Sequence, residues 1–180
     1  MAESPRIDDL RRRLLADPAS IAFAQLAEEY RRAGQFRESI ETCRAGLARH
    51  PDYMSARITL ARALFASGEL DQAEHELMAV LRGTPDNLAA VRGLGEIHNR
   101  RGDHREALAC FEAALALAWN DPDLEETVDR LRRLVSTPVA HAPGDAGGST
   151  AGRALRTVAA LEEWLAAVSA HRAHHVARTQ

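Results

Sequence analysis

Arg32–Ile40 reads RAGQFRESI, Ala66–Glu74 reads ASGELDQAE, and Arg100–Leu108 reads RRGDHREAL. The three stretches share a glycine in third place, a charge-rich bend and a small residue in eighth. Working outward, the agreement widens. Leu26, Leu60 and Leu94 stand 34 residues apart, as do Ala27, Ala61 and Gly95, and Leu47, Leu81 and Leu115. A fixed period of this size marks an array of repeated supersecondary units, each too small to bury its own apolar face.

Each unit divides at its glycine. Phe23, Leu26, Ala27 and Tyr30 fall at i, i+3, i+4 and i+7, which is one stripe of an α-helix. Beyond Gly34, the residues Phe36, Ile40, Cys43 and Leu47 make a second stripe. The glycine suits a left-handed turn that ends the first helix. Ser39, Ala73 and Ala107 mark the place where two antiparallel helices approach closest, and Pro51 and Pro85 stop the second helices.

Composition is consistent with this. Of the 180 residues 46% are hydrophobic and only 4% aromatic, so the core must be built from alanine and leucine. A net charge of −3 argues against a duplex nucleic-acid binder, which carries a strongly basic balance. All 23 basic residues are arginine, which points to a GC-rich genome and a bacterial source. The longest apolar run, Ala113 to Trp119, is far short of the roughly 20 residues of a membrane span. The opening MAESPRIDDLRRR has no apolar signal region, and Cys43 and Cys110 form no disulfide framework. The expected location is the cytoplasm.

A 34-residue helix–turn–helix unit carrying Phe23, Leu26, Ala27, Tyr30, Gly34, Ser39, Cys43, Gly46 and Pro51 resembles the tetratricopeptide repeat (TPR) family. The resemblance covers Ala19 to about Asn120. Arg57 stands in place of the aromatic Phe23, His98 in place of Tyr30, and Trp119 in place of the closing proline. It implies an all-α, right-handed α-solenoid over 1–135: a capping helix at 4–16, units at 19–52, 53–86 and 87–120, and a second cap at 121–135. A linker at 136–152 and a separate amphipathic helix at 153–175 follow.

In that family the first helix of each unit lines the concave side. Carried over, this predicts a groove of Ile21, Gln25, Glu28, Arg32, Ser55, Ile58, Thr59, Arg62, Phe65, Arg92, Glu96, Asn99 and Arg100, rich in arginine over an apolar floor. Such a groove suits a peptide or helix bearing Asp or Glu. One TPR subtype grips a C-terminal carboxylate with Lys and Asn, but Ala24, Glu28 and Thr59 stand at the corresponding places. That clamp is absent, so the ligand is expected to be an internal segment or a folded protein.

The remaining chemistry-bearing residues give bland readings. Cys43 lies on a core stripe; Cys110 is expected to be partly exposed beside Phe111. His50, His75 and His104 read as loop or surface residues, and His98 as a partly buried packing residue. His171, His174 and His175 fall at metal-ligand spacing but sit at a solvated helix end. No phosphate loop, catalytic triad or paired acids can be assembled. No catalytic residue, metal or cofactor is therefore assigned, and the chain reads as a non-catalytic adaptor. The stripe of Leu155, Val158, Leu161, Leu165 and Val168, with Trp164 at its margin, needs a docking surface on this array, on a partner protein or on a second copy. A peripheral membrane role for that helix is the alternative.

Overall fold

The computed structural model describes residues 5–118 and 120–136. Trp119, the linker from residue 137 and the whole 153–175 stripe with its three histidines lie outside the described residues. The described chain is helical throughout: α1 (Pro5–Ala16), α2 (Ala22–Arg32), α3 (Phe36–Leu47), α4 (Met54–Ser67), α5 (Leu70–Gly83), α6 (Leu88–Arg101), α7 (His104–Leu117) and α8 (Pro122–Ser136). It is an all-α solenoid of helical hairpins, α2–α3, α4–α5 and α6–α7, flanked by α1 and α8. Two compact units form, one ending at Gly83 and the other beginning at Thr84.

The turns follow from the glycines. Gly34, Gly68 and Gly102 have φ of 76°, 89° and 86°, a region that costs a side chain dearly. Around each, an amide reaches back five residues: Gln35 N to Tyr30 O, Glu69 N to Leu64 O and Asp103 N to His98 O, all at 2.9 Å. These bonds satisfy carbonyls that a helix end leaves orphaned. Eighth-place Ser39, Ala73 and Ala107 are fully buried. Ser39 tolerates this because its hydroxyl donates to Ala27 O at 2.8 Å.

In the compact unit ending at Gly83, α2 packs on α1, α3 and α4, and α4 also packs on α3 and α5. Ile7 and Leu10 of α1 close over Leu26 and Tyr30, so the capping helix is held by its apolar stripe. Burying each such side chain contributes about 1.5–3 kcal/mol. Phe23 lies against Gly46 and is stacked with the His50 ring at 5.8 Å and 5°. His50 lies in the loop between α3 and α4, as expected, but is half-buried there, and its Nε2 donates to Ala19 O at 2.7 Å. Arg57, where the first repeat has Phe23, is half-buried. It donates to Pro51 O and pairs with Glu76 Oε2 at 2.8 Å.

In the compact unit beginning at Thr84, α7 packs on both α6 and α8. That two-sided contact corrects the expectation for Cys110, which is 1% exposed while Phe111 is 5%. Neighbouring residues point about 100° apart on a helix, and with Ala107, Ala113 and Ala114 small, both directions meet a packed partner. His98 is fully buried in the same core. Leu124, Val128 and Leu131 turn inward from α8, and Glu125, Glu126, Asp129, Arg132 and Arg133 face out. The polar outer face is what the end of a stacked array requires.

Candidate partner-binding groove

The stripes that bury Leu26, Tyr30, Leu60 and Leu64 leave the opposite faces of α2 and α4 outward. Because α2 and α4 pack side by side, those faces form a groove of about 320 Å³. Gln25, Glu28 and Arg32 from α2 meet Ser55 and Thr59 from α4, with Ala24, Glu29, Tyr53 and Arg6 completing the lining. Five residues named from the sequence are thus brought together. Arg6, on the capping helix, and Glu29 are additions that the repeat pattern did not mark.

Glu28 is the hub of this groove. Arg31 holds it with two bonds, Nε to Oε2 at 2.9 Å and Nη2 to Oε1 at 2.8 Å, and Arg32 Nε adds a third at 3.1 Å. Thr59 Oγ1 donates across from α4 at 3.4 Å. The Arg31 hydrogen bonds pull the Glu28 carboxyl below its ordinary range, against the opposing effect of burial, and raise Arg31 in turn. Glu29 Oε1 lies 3.1 Å from Arg6 Nε and 3.7 Å from Arg32 Nη1.

Several expectations change. Thr59 is buried, at 9% exposure, so it is groove floor and not open surface. Ile58 and Phe65 are half-buried and lie outside this lining, in which Ala24 and Tyr53 stand beside the ion-paired Glu28 and Glu29. Thr59 is covered because α2 packs against α4 and brings the Glu28 carboxylate to its hydroxyl. Ile21 remains 57% exposed at the start of α2. Arg62, one turn beyond Thr59, is exposed and makes no ion pair among the described residues.

In the compact unit beginning at Thr84, Arg92 is drawn to Asp121 Oδ2 at 3.2 Å, while Asp121 Oδ1 accepts the Asp123 and Leu124 amides that open α8. Arg92 therefore secures a helix cap. Glu96 and Arg100 are exposed and Asn99 is half-buried.

Cys43 is wholly buried, and burial together with the Glu28 and Glu76 charges pushes its thiol up to about 12. No group of three His, Cys, Asp or Glu side chains among the described residues is placed to hold a metal ion. No helix among them is long and apolar enough to cross a membrane.

Residues 30–94 match a family model described as tetratricopeptide repeat, and residues 88–113 match a second of the same description. Residues 30–113 are tetratricopeptide repeats. Bacteriophage adsorption protein A of Escherichia coli (strain K12) is 28% identical to this chain over 97 residues, 54% of this chain and 10% of that protein. The chain thus spans about a tenth of that relative's length. Among solved structures, MamA superposes with a TM-score of 0.67 at 18% identity, covering 72% of this chain and 76% of that one. TTC0263, a TPR protein of Thermus thermophilus, does so at 0.61 and 22%, covering 72% and 73%. The first TPR of Spaghetti (RPAP3), bound to the HSP90 peptide SRMEEVD, gives 0.63 and 16%, covering 67% and 95%. At these identities the solved structures share the TPR fold.

Proposed function

We propose that this protein is a non-catalytic interaction scaffold that holds a segment of a partner protein against the first helices of its repeats. The observation that carries the reading is the open groove between α2 and α4, which the chain's own side chains line without filling. Its walls are rigid helices, and its donors and acceptors, Gln25, Ser55, Thr59 and the arginines, are spaced along both sides. A rigid, polar-lined trough favours an extended or helical segment, since little ordering entropy is lost on the scaffold's side. A peptide-bound TPR among the structural neighbours supports the same use of the fold. The other groove residues expected in the same unit, including Ile58, Arg62 and Phe65, are proposed as flanking contacts, and Glu96, Asn99 and Arg100 as partner contacts on the unit beginning at Thr84. The Leu155–Val168 stripe is proposed to dock on this chain's array, a partner or a second copy, in the cytoplasm of a bacterium.

Ser55→Trp tests the groove. Ser55 is exposed, so an indole there fills the trough without entering the core. Full-length chain should capture partner proteins from host extract, and the variant should lose them while keeping its helical circular dichroism. Capture of the same proteins by both would overturn the reading.

A further inference from the structure

The arginines around the groove are unequal in their commitments. Arg31 is bound at Nε and Nη2 by Glu28 and is about three-quarters buried. Arg6 and Arg32 are different: their side chains are 66% and 63% exposed, while that of Glu29 between them is 18% exposed. Glu29 Oε1 faces Arg6 Nε at 3.1 Å and Arg32 Nη1 at 3.7 Å, and Glu28 Oε1 takes Arg32 Nε at 3.1 Å. Beyond these contacts both side chains stay largely exposed, so each guanidinium is still open to a visitor.

Three arginines, Arg6, Arg31 and Arg32, surround two carboxylates, Glu28 and Glu29, leaving one positive charge in excess on a chain of net −3. The depressed Glu28 carboxyl reports the same positive field. Two guanidiniums held near each other repel, and a third carboxylate entering between them would relieve that repulsion.

We propose that Arg6 and Arg32, fixed on either side of Glu29, form a preorganised guanidinium pair that takes one aspartate or glutamate side chain of the partner polypeptide. This rests on the groove reading above. It also makes α1 part of the recognition surface: the helix that caps the core with Ile7 and Leu10 presents Arg6 one residue away to the groove. Glu29 is a positioning residue in this scheme, acting through the two arginines.

Glu29 supplies a test whose sign is informative. By simple charge summation, Glu29→Gln removes a negative charge and should strengthen acid binding. If Glu29 orients the pair, the same change should weaken it. Full-length protein would be titrated against three labelled octapeptide pools free of other acids. The first has Glu at the fourth position and an amidated end, the second Gln and an amidated end, and the third Gln and a free C-terminal carboxylate. The first pool should bind about five- to tenfold tighter than the second, and the third should gain nothing. Arg6→Gln and Arg32→Gln should each erase most of that preference, and Glu29→Gln should reduce it about threefold.

Equal or absent binding of the first two pools, a gain confined to the third, or a stronger acid preference in Glu29→Gln would each overturn the guanidinium pair. Loss of all pool binding in Ser55→Trp with no acid preference in the native chain would sink the pair and leave the groove standing. An acid preference that survives Ser55→Trp would overturn both.

Discussion

Gly46 of α3 lies directly against the Phe23 ring of α2: a Cβ on Gly46 would stand 2.0 Å from Phe23 Cδ2. No carbon pair tolerates that distance, and the ring is fully buried, so it has nowhere to swing. Gly46→Ala should therefore cost about 1–3 kcal/mol in urea denaturation, as overpacked cores do. Phe23→Leu in the same chain should recover part of the loss. Gly95→Ala, where a Cβ meets Phe111 at 2.9 Å, should cost less.

In the second repeat the same position is filled by an ion pair. Arg57 and Glu76 are 23% and 19% exposed, so neither charge can be rehydrated without moving. Glu76→Gln should lower stability by about 1–3 kcal/mol, because the guanidinium is left half-buried without its counter-charge. A double-mutant cycle with Arg57→Met should show coupling of about 1 kcal/mol. Additive single losses would mean that the pair is not a unit.

Leu60 repeats the position of Leu26 and is 2% exposed. Leu60→Ala should cost about 2–5 kcal/mol in chemical denaturation. A loss under about 0.5 kcal/mol would contradict its burial.

Glu28 should leave a mark on the acid limb of stability. Its folded-state carboxyl is more acidic than the ordinary value of 4.5, so the unfolded chain binds that proton more tightly. The stabilisation is present above the ordinary value and is lost as pH falls through it toward the folded one. Denaturation midpoints measured from neutral pH down to about 3 should fall less steeply in Glu28→Gln than in the native chain. Parallel curves would count against the Arg31 and Arg32 bonds.

Neither cysteine should react with a thiol reagent in the native state. Cys43 and Cys110 are 0% and 1% exposed, and Cys43 is held as a thiol because its value is pushed up to about 12. Absorbance with a chromogenic disulfide at pH 8 should show no release from native protein and two equivalents in urea.

The sequence by itself determined the 34-residue register, the hairpin in each unit, the left-handed glycines and the small residues at the closest approach. These are properties of backbone geometry and of burial that returns with a period, so a single chain displays them repeatedly. Only the tertiary structure decided that Cys110 and Thr59 are buried, that Arg92 belongs to the cap of α8, and that Arg6 and Glu29 belong to the groove. Those facts depend on the spacing between helices and on which long side chain reaches which carboxylate. Arg6 and Arg32, like Arg57 and Glu76, are brought together by packing, and no stripe drawn on one helix contains the distance between two.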